Sequence, residues 1–223
     1  GIRRGHVRIA SGADSMRYFL PETVSRYRGE DAAVTFDLVR QSGDSAEQAL
    51  RTLEADLALI FEPIKSADFQ TMATARQQLY CIMAADHPLA EKTSIRMRDC
   101  SGWAAVLPRA DAGVRQLLNV GLISRNTELE IVAESNNQEF LHNYLTQEPV
   151  ISFQIPIALP QGMIKQLGGV NNVVARPVDL SDVPAGILHV GQLKGRVLPV
   201  AAAKFLDNII NELSSRYDGD LDQ

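Results

Sequence analysis

Between Ser11 and Ser15 the sequence is polar and contains two hydroxyl groups and a glycine. This stretch follows the apolar run Val7–Ala10 and precedes apolar residues at helical spacing, which predicts a turn from a strand into a helix. Backbone N–H groups and hydroxyls at such a turn can hold a carboxylate or a similar group. We therefore take Ser11, Gly12 and Ser15 as candidate contacts of a small ligand. The alternative is that Ser15 or Asp14 only caps the helix, and an ionised Asp14 facing the ligand would repel an anion.

A second polar turn, at residues 41–43, follows the next predicted strand. Ser42 and Gly43 are candidate ligand contacts because they occupy the equivalent position at the end of a strand. Asp44 and Glu47 come next with the spacing of a capping box, so we assign these two carboxylates to helix capping rather than to binding.

Two further side chains at predicted strand ends are candidates. Phe61 ends the third strand and could supply an apolar wall to a ligand site, although an ordinary turn explains it equally well. Arg109 could neutralise the negative charge of a ligand through its fork of N–H donors. The alternative for Arg109 is a solvated surface arginine.

Catalytic and metal-binding motifs are not found in the sequence. The four histidines are scattered and form no H-x-x-x-H pair, and there is no G-x-S-x-G elbow, phosphate-binding loop or Rossmann glycine pattern. Cys81 lies in an apolar run, where a thiol is buried and inert more often than nucleophilic. Cys81 and Cys100 are too few for a disulfide framework or a zinc site, so we expect two reduced thiols in a cytosolic protein. We expect no catalytic residue, no metal and no cofactor, and therefore no enzyme.

Composition narrows the function classes further. The 223 residues carry a formal net charge of −5, with 45% hydrophobic and 22% charged residues. That balance is ordinary for a globular protein, and its acidity argues against unaided binding of nucleic acid. No apolar run approaches the roughly 20 residues of a membrane span, so we expect no membrane association.

Strands and helices alternate along the chain, which predicts an α/β fold with parallel sheets. One alternating unit extends to about residue 64, and a second begins at Trp103, after the apolar run Leu79–Ala85. In such sheets ligands bind outside the carboxyl ends of the strands, where the polar turns lie. We expect two Rossmann-like lobes with a central ligand cleft, the first formed by residues 1–80 and 185–223 and the second by residues 81–184.

Four segments in this order resemble the effector-binding domain of LysR-type transcriptional regulators. They are Val7-Arg8-Ile9-Ala10-Ser11 with Leu20-Pro21 in the following helix, Leu50-x-x-Leu53-Glu54-Ala55-Asp56-Leu57-Ala58-Leu59, His87-Pro88-Leu89-Ala90, and Ala201-Ala202-Ala203-Lys204-Phe205-Leu206. The resemblance covers essentially the whole chain.

The resemblance implies a type 2 periplasmic-binding-protein fold and a role in sensing a small organic effector, which can be anionic, in a bacterial, cytoplasmic regulator. These regulators carry an N-terminal winged helix-turn-helix and a long linker helix, and neither pattern occurs in this sequence. We therefore expect DNA binding only through a domain outside it. The alternative function is a free solute-binding protein of a transport system, and an enzyme on the same fold is a third reading.

The resemblance also places residues of the second lobe at the ligand cleft. Ser135 and Asn136 precede a helix there. The alternatives are that they only cap the helix, or that they cap it and also contact the effector. The backbone of Phe153 and Gln154 corresponds to a segment that lines the ligand site in relatives. Many relatives have a glycine-rich turn where this sequence has Pro108-Arg109-Ala110-Asp111.

Assembly is predicted from two helices with wide apolar arcs, Ser15–Arg28 and Asn137–Gln147. One sheet face consumes an apolar stripe of only about 100°, so part of each arc is available to a partner. The resemblance supplies the arrangement, in which the two helices of neighbouring subunits pack side by side in a homodimer or tetramer. The alternative is that both arcs are consumed by core packing.

Overall fold

The computed structural model describes residues 5–217, and the chain divides into two compact units. Among the described residues, the first unit comprises residues 5–76 and 187–217, and the second comprises residues 77–186. Each unit contains one five-stranded sheet. No helix within residues 5–217 is long and apolar enough to cross a membrane.

The first unit is built around a mixed sheet with strand order β2-β1-β3-β10-β4. Its elements are β1 (His6–Ser11), α1 (Ala13–Met16), α2 (Phe19–Glu30), β2 (Thr35–Arg40), α3 (Asp44–Arg51), β3 (Leu57–Phe61), β4 (Phe69–Gln77), β10 (Gly186–Leu193) and α7 (Val200–Tyr217). Strand β1 pairs in parallel with β2 and β3, and β3 pairs antiparallel with β10. The carboxyl ends of β1, β2 and β3 therefore lie at one edge, which we call the first carboxyl edge.

The second unit repeats this plan with strand order β7-β6-β8-β5-β9. Its elements are β5 (Tyr80–Ala84), β6 (Ala104–Pro108), α4 (Gly113–Ser124), β7 (Glu130–Ser135), α5 (Gln138–Tyr144), β8 (Ile151–Gln154), α6 (Gln161–Lys165), β9 (Val173–Pro177) and the 3₁₀ helices Pro88–Glu91, Met97–Cys100 and Pro156–Ala158. Strand β6 pairs in parallel with β7 and β8, whereas β5 runs antiparallel to β8 and β9. The carboxyl ends of β6, β7 and β8 form the second carboxyl edge.

Each unit buries its own apolar core. In the first unit, α3 packs small side chains against β1 and β3, so that Ala46, Ala49 and Leu50 share a cluster with Ala10 and Ala58. In the second unit, buried strand residues meet residues of α5, α6 and the adjoining loops. This second cluster consists of Ile82, Val106, Leu141, Leu145, Val150, Leu159, Met163, Val173 and Ala175.

The prediction of one continuous helix over Ser15–Arg28 is wrong. The structure has the short α1 and the longer α2, with Tyr18 outside helical geometry at φ −127° and ψ −48°. The reason is Pro21, which has no N–H to donate to the carbonyl of Arg17 four residues earlier. Proline is tolerated in the first turn of a helix, so a new helix begins at Phe19 with Pro21 in that turn.

The predicted capping of α3 by Asp44 and Glu47 is also wrong. Gly43 is the N-cap residue, and no side chain caps the helix. Glu47 is buried, and its Oε1 accepts hydrogen bonds of 3.0 Å from the backbone N–H groups of Lys65 and Ser66. This carboxylate therefore fixes the loop after β3 rather than the start of its own helix.

A buried carboxylate fastens the second unit near its C-terminal end. Asp182 accepts two 2.9 Å hydrogen bonds from the guanidinium of Arg96 and one of 2.9 Å from the Met97 N–H. The Nε of Arg125 lies 2.8 Å from Asp182 Oδ1. The hydrogen bond from Arg96, helped by the Met97 N–H and by both positive charges, outweighs burial and lowers the pKa of Asp182 to about 2. Asp182 thus joins a 3₁₀ helix, the end of α4 and its own loop.

Candidate functional site

The first carboxyl edge brings together the turns predicted to bind a ligand. Ser11 pairs with Arg40 of β2 and Leu59 of β3 in the ladder. The N–H of Gln41 donates to the carbonyl of Ser11 at 2.8 Å, and the N–H of Gly12 donates to the carbonyl of Leu59 at 3.3 Å. These backbone bonds hold the turns after β1 and β2 against the end of β3.

Ser11 and Ser15 are both almost completely buried, with relative exposures of 0% and 1%. The Ser11 hydroxyl donates to the carbonyl of Gly12 at 3.0 Å. Ser15 lies inside α1, whose N-cap residue is Gly12, and no side chain caps this helix. The alternative, that Ser15 or Asp14 only caps the helix, is therefore wrong. Gly12 presents the open position here, since a Cβ on it would meet nothing within 4 Å.

The turn after β2 contains a residue that sequence reasoning missed. Ser42 is exposed and Gly43 adopts a φ of +54°, a conformation that favours glycine. Gln41, one residue before Ser42, has a buried Oε1 without a hydrogen-bond partner among the described residues. A buried polar atom left unpaired is costly, so this acceptor could serve a donor on a ligand. The single sequence signal was its place after a strand.

Phe61 closes the first carboxyl edge at the end of β3 and is half-buried. The side chain of its neighbour Glu62 has a structural role. Glu62 Oε1 accepts a 2.6 Å hydrogen bond from the N–H of Ile187. The signal for this role was absent from the sequence because the partner lies 125 residues away.

The second carboxyl edge carries the predicted residues of the second lobe. Ser135 lies opposite Pro108 in the parallel ladder, and its Oγ accepts a 3.0 Å bond from the N–H of Asn137. Asn137 is the N-cap of α5, with Oδ1 accepting from the Phe140 N–H at 3.0 Å. Asn136, for which capping was the alternative role, does not cap the helix and is exposed.

Two arginines on this edge differ in whether a carboxylate neutralises their positive charge. Arg115 donates to the carbonyl of Pro108 at 2.9 Å and to Glu134 Oε2 at 2.7 Å, so its charge is paired. Arg109 is exposed, and within residues 5–217 no side chain pairs with it. The unpaired guanidinium therefore projects from a turn whose first carbonyl is fixed by Arg115.

Phe153 and Gln154 end β8 at the same edge, and both are buried. The amide oxygen of Gln154 is used internally, accepting a 2.9 Å hydrogen bond from the N–H of Ile155. Tyr80, at the start of β5, lies opposite Gln154 in the sheet. Because its side chain is buried, Phe153 could offer only its backbone to a ligand, which is the contact the resemblance implied.

The remaining ionisable side chains can be judged as metal ligands and as titratable groups. The part of the chain that the structure describes contains no group of three or more His, Cys, Asp or Glu residues placed to hold a metal. Burial raises the pKa of the Cys81 thiol well above its ordinary value, and a hydrogen bond with Cys100 adds to the shift. Burial lowers the pKa of His87 and of His189, so both rings favour the neutral form.

Comparison with known proteins decides the family. The model of the LysR substrate-binding domain matches residues 1–214. The chain belongs to this family. The resemblance inferred from the sequence is confirmed, and the match favours the regulatory domain of a LysR-type regulator over a free solute-binding protein. Its relatives are effector-binding domains of regulators rather than enzymes.

Solved LysR effector-binding domains share the fold. The effector-binding domain of QuiR in complex with shikimate superposes with a TM-score of 0.76 at 17% identity, covering 96% of this chain and 100% of that one. The regulatory domain of CcmR from Synechocystis PCC6803 in complex with 2-PG gives 0.78 at 19% identity, covering 94% and 97%. The predicted type 2 periplasmic-binding-protein fold is therefore confirmed.

The curated HTH-type regulators that this chain matches are longer than it is. The probable HTH-type transcriptional regulator LrrA of Synechococcus elongatus is 28% identical over 92 residues, which is 41% of this chain and 31% of that protein. An HTH-type regulator of Bacillus subtilis, YwbI, is matched over 46% of its length. The chain thus spans less than half the length of the curated relatives it matches.

Proposed function

We propose that this LysR substrate-binding domain recognises a small organic acid at its two carboxyl edges and signals to a DNA-binding domain of a longer regulator. The observation that carries the proposal is that, within each unit taken by itself, polar turns lie together at the carboxyl ends of the parallel strands, β1–β3 in the first and β6–β8 in the second. Ligands of open α/β sheets bind at such ends. The similar domains with bound shikimate and 2-PG support a ligand of this size and acidity.

The proposed contacts have distinct chemical roles. Gly12 leaves space for the ligand, with Ser11, Ser15, Ser42 and Gly43 in the turns around it. Phe61 supplies an apolar wall. On the other edge Arg109 offers an unpaired positive charge, with Ser135, Asn136 and the backbone of Phe153 and Gln154 beside it. An unpaired guanidinium matches a carboxylate or phosphate through bidentate hydrogen bonds.

The full-length regulator supplies the remaining parts of the proposal. We assign DNA binding to a helix-turn-helix domain outside these residues, because the curated relatives are HTH-type regulators and the chain is acidic. We place the regulator in the cytoplasm, where its DNA is. The two units correspond in this proposal to regulatory subdomains I and II.

We also propose assembly into a homodimer or tetramer through the helix regions 15–28 and 137–147. Phe140 of α5 supports this, with 44% of its surface exposed and its ring 5.7 Å from that of Tyr144. The apolar arc of α2 supports this assembly less, because Phe19, Leu20 and Tyr27 are buried within their own unit. The contact on α2 therefore rests on its polar outer residues.

A thermal-shift screen with matched variants tests effector binding. A panel of small carboxylic acids and phosphate esters, including shikimate and 2-PG, is added to the parent chain. A ligand at 100 times its Kd stabilises by about 2.7 kcal/mol. Gly12→Val should abolish that shift without loss of stability, since its Cβ position is open. Gly29→Val is the matched control, because Gly29 is equally open but lies in α2.

Arg109 is tested by charge reversal. Arg109→Glu should weaken binding of the acid, whereas Arg98→Glu, which reverses the charge of another exposed arginine, should not. A panel in which no acid stabilises the parent chain, or a shift retained in both Gly12→Val and Arg109→Glu, would contradict the proposal. Ser11→Leu is unsuitable as a test because the buried Ser11 leaves no room for a larger side chain.

A further inference from the structure

Strand β4 lies at an open side of the first sheet. Within residues 5–217 it is the last strand in the order β2-β1-β3-β10-β4. It has nine residues, whereas the other three edge strands of the two sheets have five or six. An edge strand presents unpaired N–H and C=O groups, which proteins often protect with proline or lysine. The β4 sequence, FQTMATARQ, contains neither, so its edge is open to pairing with another strand.

Contacts with β10 show which backbone groups of β4 face outward. The carbonyl of Asp68, just before β4, accepts a 2.7 Å hydrogen bond from the N–H of Lys194. The carbonyl of Gln70 also faces β10, since a Cβ added to Gly191 would come within 2.6 Å of its oxygen. Successive residues of a strand direct their N–H and C=O groups to alternate sides. The odd-numbered residues of β4 therefore direct these groups to the open side of the sheet.

One face of β4 is exposed along its whole length and has opposite charges at its two ends. Side chains on this face alternate with those on the other, and the exposed row consists of Asp68, Gln70, Met72, Thr74 and Arg76. Asp68 lies four residues before Met72, and Arg76 lies four residues after it. The row therefore matches a reversed copy of itself, with its acidic end against a basic end.

We propose that β4 pairs antiparallel with β4 of a second copy of this chain, about a two-fold axis at Met72. Only outward-facing backbone groups can exchange hydrogen bonds across the edge, so odd-numbered residues must face odd-numbered residues. Thr71 then lies opposite Ala73 of the second copy. Of the registers that meet this condition, the one centred on Met72 sets Asp68 opposite Arg76 of the second copy. Opposite charges across a strand pair are stabilising, whereas like charges are destabilising.

The contact closes on itself and is weak. An isologous contact about a two-fold axis joins two copies through the same surface, so it does not propagate into a fibre. A single pair of strands buries less than the roughly 1,200 Å² of a stable interface, so we expect association only at high protein concentration. This surface is separate from the helix regions 15–28 and 137–147, and the inference does not depend on effector binding.

A cysteine at the axis tests the register. Residues at the axis form a non-hydrogen-bonded pair with Cα atoms about 4.5 Å apart, which is within the range of a disulfide. The chain carrying Met72→Cys, oxidised with glutathione disulfide at high protein concentration, should form a covalent dimer that is lost on dilution. Gln70→Cys is the matched control, because this exposed position faces Thr74 of the second copy rather than itself. The native Cys81 and Cys100 are buried, so they should not contribute.

Charge exchange tests the role of the two ends. Arg76→Asp in the Met72→Cys chain should lower the yield of covalent dimer severalfold, because it sets like charges opposite one another. Adding Asp68→Arg to Arg76→Asp restores the opposite charges and should restore the yield. Arg98→Asp, at an exposed arginine of the second unit, should leave the yield unchanged. Sedimentation velocity over a range of concentrations should rank the same charge variants, made without the added cysteine, in the same order.

Two kinds of result would overturn the proposal. Without a covalent dimer of Met72→Cys, or with equal linking of Gln70→Cys, the strands do not pair in this register. A dimer that sediments unchanged in Arg76→Asp and does not link at Met72→Cys would belong to another surface, such as the helix regions. Failure of the charge exchange to restore the yield would equally refute the pairing of Asp68 with Arg76. Neither assay uses an effector, so failure of the proposed binding function would be seen separately, in the thermal-shift screen.

Discussion

Replacing Asp182 by asparagine should cost this protein a large share of its stability at neutral pH. The pKa of Asp182 is lowered from 3.8 to about 2 in the folded chain, and a shift of one pKa unit corresponds to 1.36 kcal/mol. The ionised carboxylate therefore stabilises the fold by roughly 2 kcal/mol at pH 7. Arg96 and Arg125 have side-chain exposures of 35% and 45%, so water can solvate them in the variant. This keeps the loss below the 3–5 kcal/mol typical of a broken buried ion pair.

The pH dependence of the Asp182 contribution has a definite sign. Because the folded-state pKa lies below the unfolded-state value, the contribution is complete above about pH 5 and decreases as the pH falls through the folded-state value. Roughly half of it remains at pH 3. The difference in stability between the parent chain and Asp182→Asn should therefore shrink steadily between pH 5 and pH 3.

Urea unfolding followed by circular dichroism measures this difference, with a shift in midpoint and an unchanged slope as the expected result. Asp44→Asn is the matched control, since Asp44 and Lys65 are 3.9 Å apart and largely exposed. An exposed pair of this kind contributes at most about 1 kcal/mol. If Asp182→Asn destabilises no more than Asp44→Asn, or its cost does not fall below pH 5, the assignment of the stability to the Asp182 charge is wrong.

Three further predictions concern strain, an unpaired hydroxyl and a histidine cap. Leu53 has a φ of +63° at the end of α3, a conformation that favours glycine, and is 47% exposed. Leu53→Gly should therefore raise the free energy of unfolding by up to about 1 kcal/mol. A lower urea midpoint in this variant would contradict the prediction. Ser152 is buried opposite Ile82, and its Oγ has no hydrogen-bond partner within residues 5–217. Ser152→Ala should therefore be neutral or stabilising by about 1 kcal/mol in thermal unfolding, and a clear loss of stability would contradict this. His87 Nδ1 accepts a hydrogen bond from the Leu89 N–H at 3.0 Å, and burial lowers the pKa of the His87 ring. The neutral ring therefore contributes stability above about pH 6.5, and this stability is lost as the pH falls through the folded-state pKa of His87. His87→Asn keeps a capping acceptor that does not titrate, so the variant should lose less stability than the parent chain between pH 7 and pH 5. An equal loss in the parent and the variant would refute the role of the His87 ring as a titrating cap.

Local pattern alone predicted most of the architecture. The alternation of strands with helices, and the polar turns at Ser11 and Ser135, follow from residue spacing along a few turns of chain. The parallel sheets and the position of those turns at carboxyl edges then follow from general connection rules. Pro21 also contained the signal for the break between α1 and α2, because a missing N–H acts on the residue four positions earlier.

Only the tertiary structure decided the polar contacts between residues that are distant in sequence. Glu47 has the spacing of a helix cap yet fixes the loop at Lys65, and Glu62 reaches Ile187, 125 residues away. Asp182 likewise meets Arg96 across 86 residues. A carboxylate takes the nearest available donors once the strands are in register, and no local pattern specifies which donors those are. The sequence by itself therefore determined the fold and the edges where a ligand would bind, and the packed chain decided which side chains at those edges are free and which are consumed in holding the fold together.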